Sequence, residues 1–175
     1  SKKKKIGVWG TGYIGLSTMV YFARENIRSI GFDIDKDKVD KINNGILPIP
    51  ELESWFGFKI DKLVNDNLLS ASSNYKDLIN NDVIVHFIAI PTEKEGKPYF
   101  EILKDVLTKI SEVTSLSPNH KPLVIIESTL TPKTSERMIF PTESIQTTLS
   151  ASPSYAIPIS YFFSFLILSI INSRF

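Results

Sequence analysis

The sequence predicts an α/β fold, a doubly wound parallel sheet of the Rossmann type with helices on both faces in three αβα layers. Three observations predict it: a glycine-rich turn follows a short apolar stretch, strands alternate with helices over about residues 5–130, and two strands are almost continuously apolar. Continuously apolar strands are typical of parallel sheets that are covered on both faces. Strand–helix alternation favours parallel strands joined by right-handed crossovers.

The glycine-rich turn stands in the order of strand, turn, helix, strand and acid that a dinucleotide-binding βαβ unit requires. A strand at about residues 5–9 precedes Gly10-Thr-Gly-Tyr-Ile-Gly15, a helix follows to about Glu25, and a strand at about 28–32 ends at Asp33. An isolated glycine turn would be weak evidence, whereas this full order favours a dinucleotide site over a plain structural turn.

Each glycine of the turn has its own expected role. Gly10 makes the tight turn, Gly12 lets the backbone approach a pyrophosphate, and Gly15 lets the helix pack closely on the strand. The pyrophosphate then faces unpaired N–H groups at the helix N-terminus, where Tyr13 and Ile14 lie.

The acid at the end of the second strand indicates which dinucleotide binds. The Asp33 carboxylate can accept hydrogen bonds from both hydroxyls of the adenosine ribose and would repel a 2′-phosphate, so NAD is expected rather than NADP. Lys38 weakens the argument from repulsion of the 2′-phosphate, because a cation five residues after Asp33 would neutralise a phosphate. Asp35 is the rival for the ribose, but it lies two residues past the strand end and is expected to face solvent.

The rest of the chain repeats the alternation of strands and helices. Helices are predicted at about residues 37–43, 52–56, 60–67 and 99–114, and strands at about 68–72, 83–89 and 123–126. His86, within the 83–89 strand, is interpreted as a satisfied core or edge residue rather than a catalyst.

Hydroxyl side chains follow the fourth and fifth predicted strands. These are Thr92 after the fourth strand, and Ser128 and Thr129 after the fifth. Ligands of open α/β sheets bind beyond the carboxyl ends of the strands, so these hydroxyls are placed where the ribose and nicotinamide of a cofactor would lie. Capping of the next helices is the alternative interpretation.

The composition excludes several classes of partner. A net charge of +1 creates no field that favours nucleic acid or acidic membranes. Without cysteine there is no disulfide, thiolate metal site or thiol nucleophile, and His86 and His120 have no metal-ligand spacing. No metal is expected, and a cytoplasmic enzyme fragment fits these observations.

Residues 141–175 differ in composition from residues 1–140, and the boundary between the predicted domain and an atypical tail is placed there. No charged residue occurs from Ser144 to Ser173, and Tyr155–Ile171 is almost entirely apolar or hydroxylic. This stretch is shorter than the roughly 20 residues that span a bilayer. A truncated or out-of-frame ending is favoured; a buried element, self-association and a membrane segment are the alternatives.

Four blocks of the sequence together resemble the N-terminal domain of the UDP-glucose/GDP-mannose dehydrogenase family, and they cover about residues 5–140. The matching blocks, in the order of the family, are Gly10–Leu16, Gly31–Glu51, Val83–Thr92 and Glu127–Pro132. The second block is the most diagnostic, because a glycine-proline-glutamate link after an acid-ended strand is not a general Rossmann feature.

The resemblance implies positions for the cofactor. Asp33 and Lys38 would hold the adenosine end, Pro91 and Thr92 would lie beside the ribose, and Ser128 and Thr129 would lie near the nicotinamide and the reacting carbon. Glu93 departs from the family, which usually has a second proline there, so a less rigid loop is expected.

The family oxidises a sugar 6-hydroxymethyl group to a carboxylate by two hydride transfers to NAD, with a cysteine thioester between them. The family's catalytic glutamates, lysine, central helix and second domain are not recognisable after about Phe140, and the chain has no cysteine. Thr129, which the resemblance casts as a holder of the catalytic water, is present. We therefore expect an NAD-binding domain that is inactive alone, with a nucleotide-sugar substrate only in the full-length relative.

Two other functions are possible. One is a stand-alone NAD-binding or interaction module with a hydrophobic C-terminal attachment segment. The other is an NAD-linked dehydrogenase of the 6-phosphogluconate or 3-hydroxyacid type, against which the Gly45–Glu51 link argues.

Overall fold

The main sheet has six parallel strands. The computed structural model describes residues 4–116 and 122–128 and the backbone of residues 146–150. The strands lie in the order β3-β2-β1-β4-β7-β8, with the bounds β1 Lys5–Trp9, β2 Arg28–Phe32, β3 Leu69–Ser72, β4 Val83–Ile88, β7 Leu123–Ile126 and β8 Gln146–Ser150. The strand order reverses at the β1–β4 pair, which is where a doubly wound sheet opens a ligand crevice.

Among the described residues, five α-helices and a short 3-10 helix, Tyr75–Asp77, join or flank the strands. The α-helices are α1 Tyr13–Arg24, α2 Lys36–Asn43, α3 Glu51–Phe56, α4 Asp61–Asn65 and α5 Glu101–Leu116. A short antiparallel hairpin of β5 Glu93–Lys94 and β6 Lys97–Pro98 follows β4. Except for this hairpin and β8, the strands and α-helices fall where the sequence predicts them, within a few residues at their ends.

Both faces of the sheet are covered, which confirms the three-layer prediction. Leu123 and Ile125 of β7 pack in one apolar cluster with α1, whereas Val124 and Ile126 pack in a second cluster with α5. Because successive side chains of a strand point to opposite faces, this division places one helical layer on each side. The almost continuously apolar sequence of β7 follows from burial on both faces.

His86 lies in the core, as the sequence interpretation requires. Its side chain is buried, and the indole N–H of Trp9 donates a hydrogen bond to His86 Nδ1 over 3.2 Å. Trp9 is the last residue of β1, so this pair joins β1 to β4 directly beneath the glycine turn.

Strand β8 lies beyond residue 140 and pairs in parallel with β7. This strand was not predicted, because its uncharged stretch resembles in composition the rest of residues 141–175. The remainder of that tail, residues 141–145 and 151–175, lies outside the described residues. The division at residue 140 and the proposed origins of the tail therefore stay predictions. In the part of the chain that the structure describes, no helix has the length and apolar character needed to cross a membrane.

Candidate dinucleotide site

The candidate site is formed where four neighbouring strands end at one edge of the sheet. Backbone hydrogen bonds hold these ends in line one residue past each strand: Gly10 N–H donates to Phe32 O, Ala89 N–H to Trp9 O and Glu127 N–H to Ile88 O, each over 2.9 Å. The glycine turn, Asp33, the loop after β4 and the residues after β7 are thereby brought together.

The three glycines of the turn occupy different surroundings. Gly10 has a φ of +92°, and a Cβ there would lie 2.5 Å from Ala89 O. A Cβ on Gly15 would lie 1.9 Å from Gly10 O. Protein packing alone therefore requires glycine at both positions. A Cβ on Gly12 would meet nothing within 4 Å, although its φ of −75° suits any residue. The space over Gly12 is open, as the approach of a ligand requires.

Helix α1 begins at this open space. Gly12 is its N-cap, it provides no side-chain cap, and the first turn contains no acidic residue. The first intrahelical hydrogen bond runs from Leu16 N–H to Gly12 O over 2.9 Å. The N–H groups of Tyr13 and Ile14 come before that bond and have no acceptor within the helix. This end of α1 is suited to an anion such as a pyrophosphate.

Asp33 is held by hydrogen bonds from both sides. Its Oδ2 accepts the N–H of Thr11 over 3.0 Å and the Thr11 hydroxyl over 2.6 Å, and its Oδ1 accepts Asp35 N–H over 3.0 Å. Lys38 Nζ lies 3.8 Å from Oδ2. Burial raises the pKa of Asp33, but the Thr11 hydroxyl, the two backbone N–H groups and Lys38 together outweigh it and hold the pKa below its ordinary value. Asp33 is therefore ionised at neutral pH.

Asp35 has a different role from Asp33. It is exposed, and its side chain caps α2 by accepting the N–H groups of Asp37 and Lys38 over 3.0 and 3.4 Å. The expectation that Asp35 faces solvent is confirmed.

The ends of β4 and β7 are joined by a serine. The Ser128 hydroxyl accepts Ile90 N–H over 3.0 Å and donates to Ile90 O over 2.6 Å. Pro91 is exposed and Thr92 is buried, with Thr92 O accepting Tyr99 N–H over 2.8 Å at the base of the hairpin. The predicted contacts of these residues with a cofactor stay predictions, and Thr129 lies outside the described residues.

Glu127 is a second carboxylate at this edge of the sheet, and it was not predicted from the sequence as a site residue. The Thr18 hydroxyl of α1 lies 2.9 and 3.0 Å from its two carboxylate oxygens. Burial raises the pKa of Glu127 to about 7, although the Thr18 hydrogen bond acts to lower it. Thr11 was also missed; its only sequence signal is a hydroxyl between the first two glycines. Among the described residues, no group of three or more His, Cys, Asp or Glu is placed to hold a metal ion.

A glycine turn that opens a helix, with an ionised acid at the end of the adjacent parallel strand, defines a dinucleotide-binding domain of the Rossmann class. A sequence profile for the NAD binding domain of the UDP-glucose/GDP-mannose dehydrogenase family matches residues 4–161. The chain belongs to this family. The family resemblance predicted from the sequence is confirmed, and NAD is the cofactor.

Several relatives in sequence are named as dehydrogenases of UDP-sugars. UDP-N-acetyl-D-mannosamine dehydrogenase of Pyrococcus horikoshii is 30% identical over 136 residues, 77% of this chain and 30% of the relative. UDP-glucose 6-dehydrogenase TuaD of Bacillus subtilis is 31% identical over 110 residues, 62% of this chain and 23% of the relative. The chain therefore spans about a third or less of the length of these two relatives.

Solved structures support the same fold. The structure of UDP-D-ManNAc dehydrogenase from P. horikoshii has a TM-score of 0.67 and 28% identity, and the match covers 82% of this chain and 35% of that one. A ternary complex of GDP-mannose dehydrogenase from Pseudomonas aeruginosa has a TM-score of 0.71 at 23% identity, covering 90% and 39% of the two chains. The second match shows a shared fold.

Proposed function

We propose that this chain is the NAD-binding part of an enzyme that oxidises the 6-hydroxyl group of a nucleotide sugar, and that these 175 residues bind NAD without completing the oxidation. The observation that carries the proposal is the open space over Gly12 at the N-terminus of α1. Packing explains Gly10 and Gly15, whereas a bound group explains the space over Gly12.

The adenosine half of NAD fits the residues around that space. The pyrophosphate would accept hydrogen bonds from the N–H groups of Tyr13 and Ile14. Asp33, ionised and one strand away, would accept a ribose hydroxyl and repel the 2′-phosphate of NADP. Lys38 Nζ already lies 3.8 Å from Asp33 Oδ2, so Asp33 balances part of the charge of the lysine. Lys38 is therefore less able to neutralise a 2′-phosphate, which supports NAD over NADP.

The other half of the cofactor would extend toward β4 and β7, with Pro91, Thr92, Ser128 and Thr129 nearby. NAD supplies the hydride-accepting chemistry, and the chain's own residues bind and orient the cofactor. The chain has no cysteine to hold the acyl intermediate of the family reaction. Sugar-binding and thioester chemistry would therefore come from parts of the longer relatives that this chain does not match. The proposed location is the cytoplasm.

Calorimetric titration of NAD into the chain tests the binding site. The wild-type chain should bind NAD more tightly than NADP, and Asp33→Ala should weaken NAD binding by about 1–3 kcal/mol through loss of a charge-assisted hydrogen bond. Asp35→Ala is the matched control: it removes a neighbouring carboxylate that caps α2, and NAD affinity should stay within about twofold of wild type. Equal affinities for wild type and Asp33→Ala would remove Asp33 from the site.

Turnover tests the second half of the proposal. The isolated chain, saturated with NAD, should produce no NADH with UDP-glucose, UDP-N-acetyl-D-mannosamine or GDP-mannose. NADH formation above a protein-free blank would show that these residues carry a complete catalytic site.

A further inference from the structure

Thr11, the residue between the first two glycines of the turn, is fully buried and directs two donors at one oxygen atom. Its N–H and its hydroxyl lie 3.0 and 2.6 Å from Asp33 Oδ2. A buried hydroxyl has no water with which to replace this bond. The bond also spans two elements, since Thr11 follows β1 and Asp33 follows β2.

The two carboxylate oxygens of Asp33 differ in how many further hydrogen bonds they can accept. Each carboxylate oxygen has about two lone-pair sites. On Oδ2 both sites are taken by Thr11, whereas within the part of the chain that the structure describes Oδ1 accepts the N–H of Asp35 alone. One acceptor site of Oδ1 is therefore available to a ligand. This site on Oδ1 suits one ribose hydroxyl, and acceptance of both ribose hydroxyls by Asp33 stays a prediction.

We propose that Thr11 is a positioning residue for NAD: its hydroxyl fixes the Asp33 carboxylate so that Oδ1 accepts a hydroxyl of the adenosine ribose. The inference rests on the proposed NAD site and assigns the orientation of its acid to a residue that does not itself contact the ribose. Without the hydroxyl, the two backbone N–H groups would hold the carboxylate less firmly, and the cost of ordering it on binding would reduce affinity.

Charge supports the same role. The Thr11 hydroxyl is the largest of the contributions that lower the pKa of Asp33 against the effect of burial. The other contributions come from the backbone N–H groups of Asp35 and Thr11 and from Lys38 of α2, the charged group among the causes of the shift. Without the hydroxyl, the carboxyl should become protonated at higher pH and lose its affinity for a ribose hydroxyl there.

Three variants of Thr11, compared in two pairs, separate the effect of the hydroxyl from that of the methyl group. Thr11→Val removes the hydroxyl and keeps a methyl group where Thr11 Cγ2 now lies close to Gly31. Thr11→Ser keeps the hydroxyl and removes that methyl group. Thr11→Ala lacks both groups, so Thr11→Ser and Thr11→Ala differ by the hydroxyl alone. This second pair replaces the pair of Thr11→Val and Thr11→Ser if Thr11→Val does not fold. Urea unfolding of each variant establishes that it is folded before binding is measured.

NAD affinity and its pH dependence are the readouts. Thr11→Val should bind NAD about five- to tenfold more weakly than wild type, and Thr11→Ser within about threefold. Because Glu127 titrates near pH 7 in wild type and variant alike, the readout is the difference between their profiles: from about pH 7 to about pH 5 the affinity of Thr11→Val should fall relative to that of wild type, in which Asp33 remains ionised. A purely structural role would not move this pH profile.

Three results overturn the inference. If Thr11→Val keeps both the affinity and the pH profile of wild type while Asp33→Ala binds weakly, the positioning role is wrong and the proposed NAD site stands. Equal losses in Thr11→Val and Thr11→Ser would assign the effect to packing rather than to the hydroxyl. If Asp33→Ala itself binds as wild type, the proposed site fails together with the inference.

Discussion

The edge of the sheet where the strands end has two halves, the ends of β1 and β2 and the ends of β4 and β7, and each contains a carboxylate. The two carboxyl groups have opposite pKa shifts. Asp33 follows β2 and Glu127 follows β7, and burial acts to raise the pKa of both. Asp33 receives three hydrogen bonds and a nearby lysine, and its pKa falls. The side chain of Glu127 receives the Thr18 hydroxyl, and its pKa rises to about 7.

The comparison teaches that burial and donor number act together in this sheet: half-buried Asp33 receives three hydrogen bonds and stays ionised, whereas the more deeply buried Glu127 receives one donor and its pKa rises. Around neutral pH Asp33 is charged, whereas Glu127 is divided between its two forms. In the β1–β2 half, the ionised Asp33 can therefore accept a hydrogen bond from a neutral hydroxyl group. In the β4–β7 half, Glu127 can gain or lose a proton within the physiological pH range.

Substitution of Gly15 should break the β1–β2 half most severely. A Cβ there would lie 1.9 Å from the backbone oxygen of Gly10, so Gly15→Ala should lower the free energy of unfolding by about 3 kcal/mol or more. Urea unfolding followed by circular dichroism measures this loss.

Gly12→Ala is the matched control for Gly15→Ala. Its Cβ meets open space, so the free energy of unfolding should change by less than about 1 kcal/mol. NAD affinity should nevertheless fall at least about tenfold, because the new methyl group occupies the space proposed for the pyrophosphate. Unchanged NAD affinity would show that the cofactor does not approach Gly12.

Substitution of Glu127 should remove the contrast between the two carboxylates. Its pKa is raised from 4.5 to about 7 in the folded state, so the folded state binds an extra proton between these values. Stability should therefore fall as pH rises from about 4.5 through about 7. Glu127→Gln should abolish this slope and stabilise the chain by about 1–3 kcal/mol above pH 7. Asp33, with its lowered pKa, should contribute a loss of stability only below about pH 4.

Thermal or urea unfolding across this pH range measures the effect of Glu127→Gln. The control is Glu112→Gln, which neutralises an exposed carboxylate of α5 and should leave the slope in place. An identical slope in wild type and Glu127→Gln would show that another group titrates in this range.

Substitution of Lys38 should have the smallest effect. Its Nζ lies 3.8 Å from Asp33 Oδ2 and its side chain is 38% exposed, and such ion pairs contribute about 0.5 kcal/mol or less. Lys38→Ala should change NAD affinity less than about twofold in calorimetry, as should Lys41→Ala, which removes an exposed lysine of the same helix. A tenfold loss for Lys38→Ala alone would make the lysine, rather than the Thr11 hydroxyl, the main support of Asp33.

Local sequence patterns predicted most of the fold and the β1–β2 half of the site. The glycine turn and Asp33 are close in sequence, and their roles depend on strand and helix boundaries that periodicity reveals. The hairpin after β4 was missed because Glu93-Lys94 and Lys97-Pro98 are too short to show strand alternation. Strand β8 was missed because its pairing with β7 depends on the sheet already being formed.

The sequence by itself determined the order of the longer elements from β1 to β7, the glycine loop, the acid that follows β2 and the family to which the chain belongs. The tertiary structure decided which donors each carboxylate receives: Thr11 reaches Asp33 across 22 residues, and Thr18 reaches Glu127 across 109. Hydrogen bonds and burial of this kind depend on which strands become neighbours. The charge of each carboxylate is therefore a property of the folded sheet rather than of the local sequence.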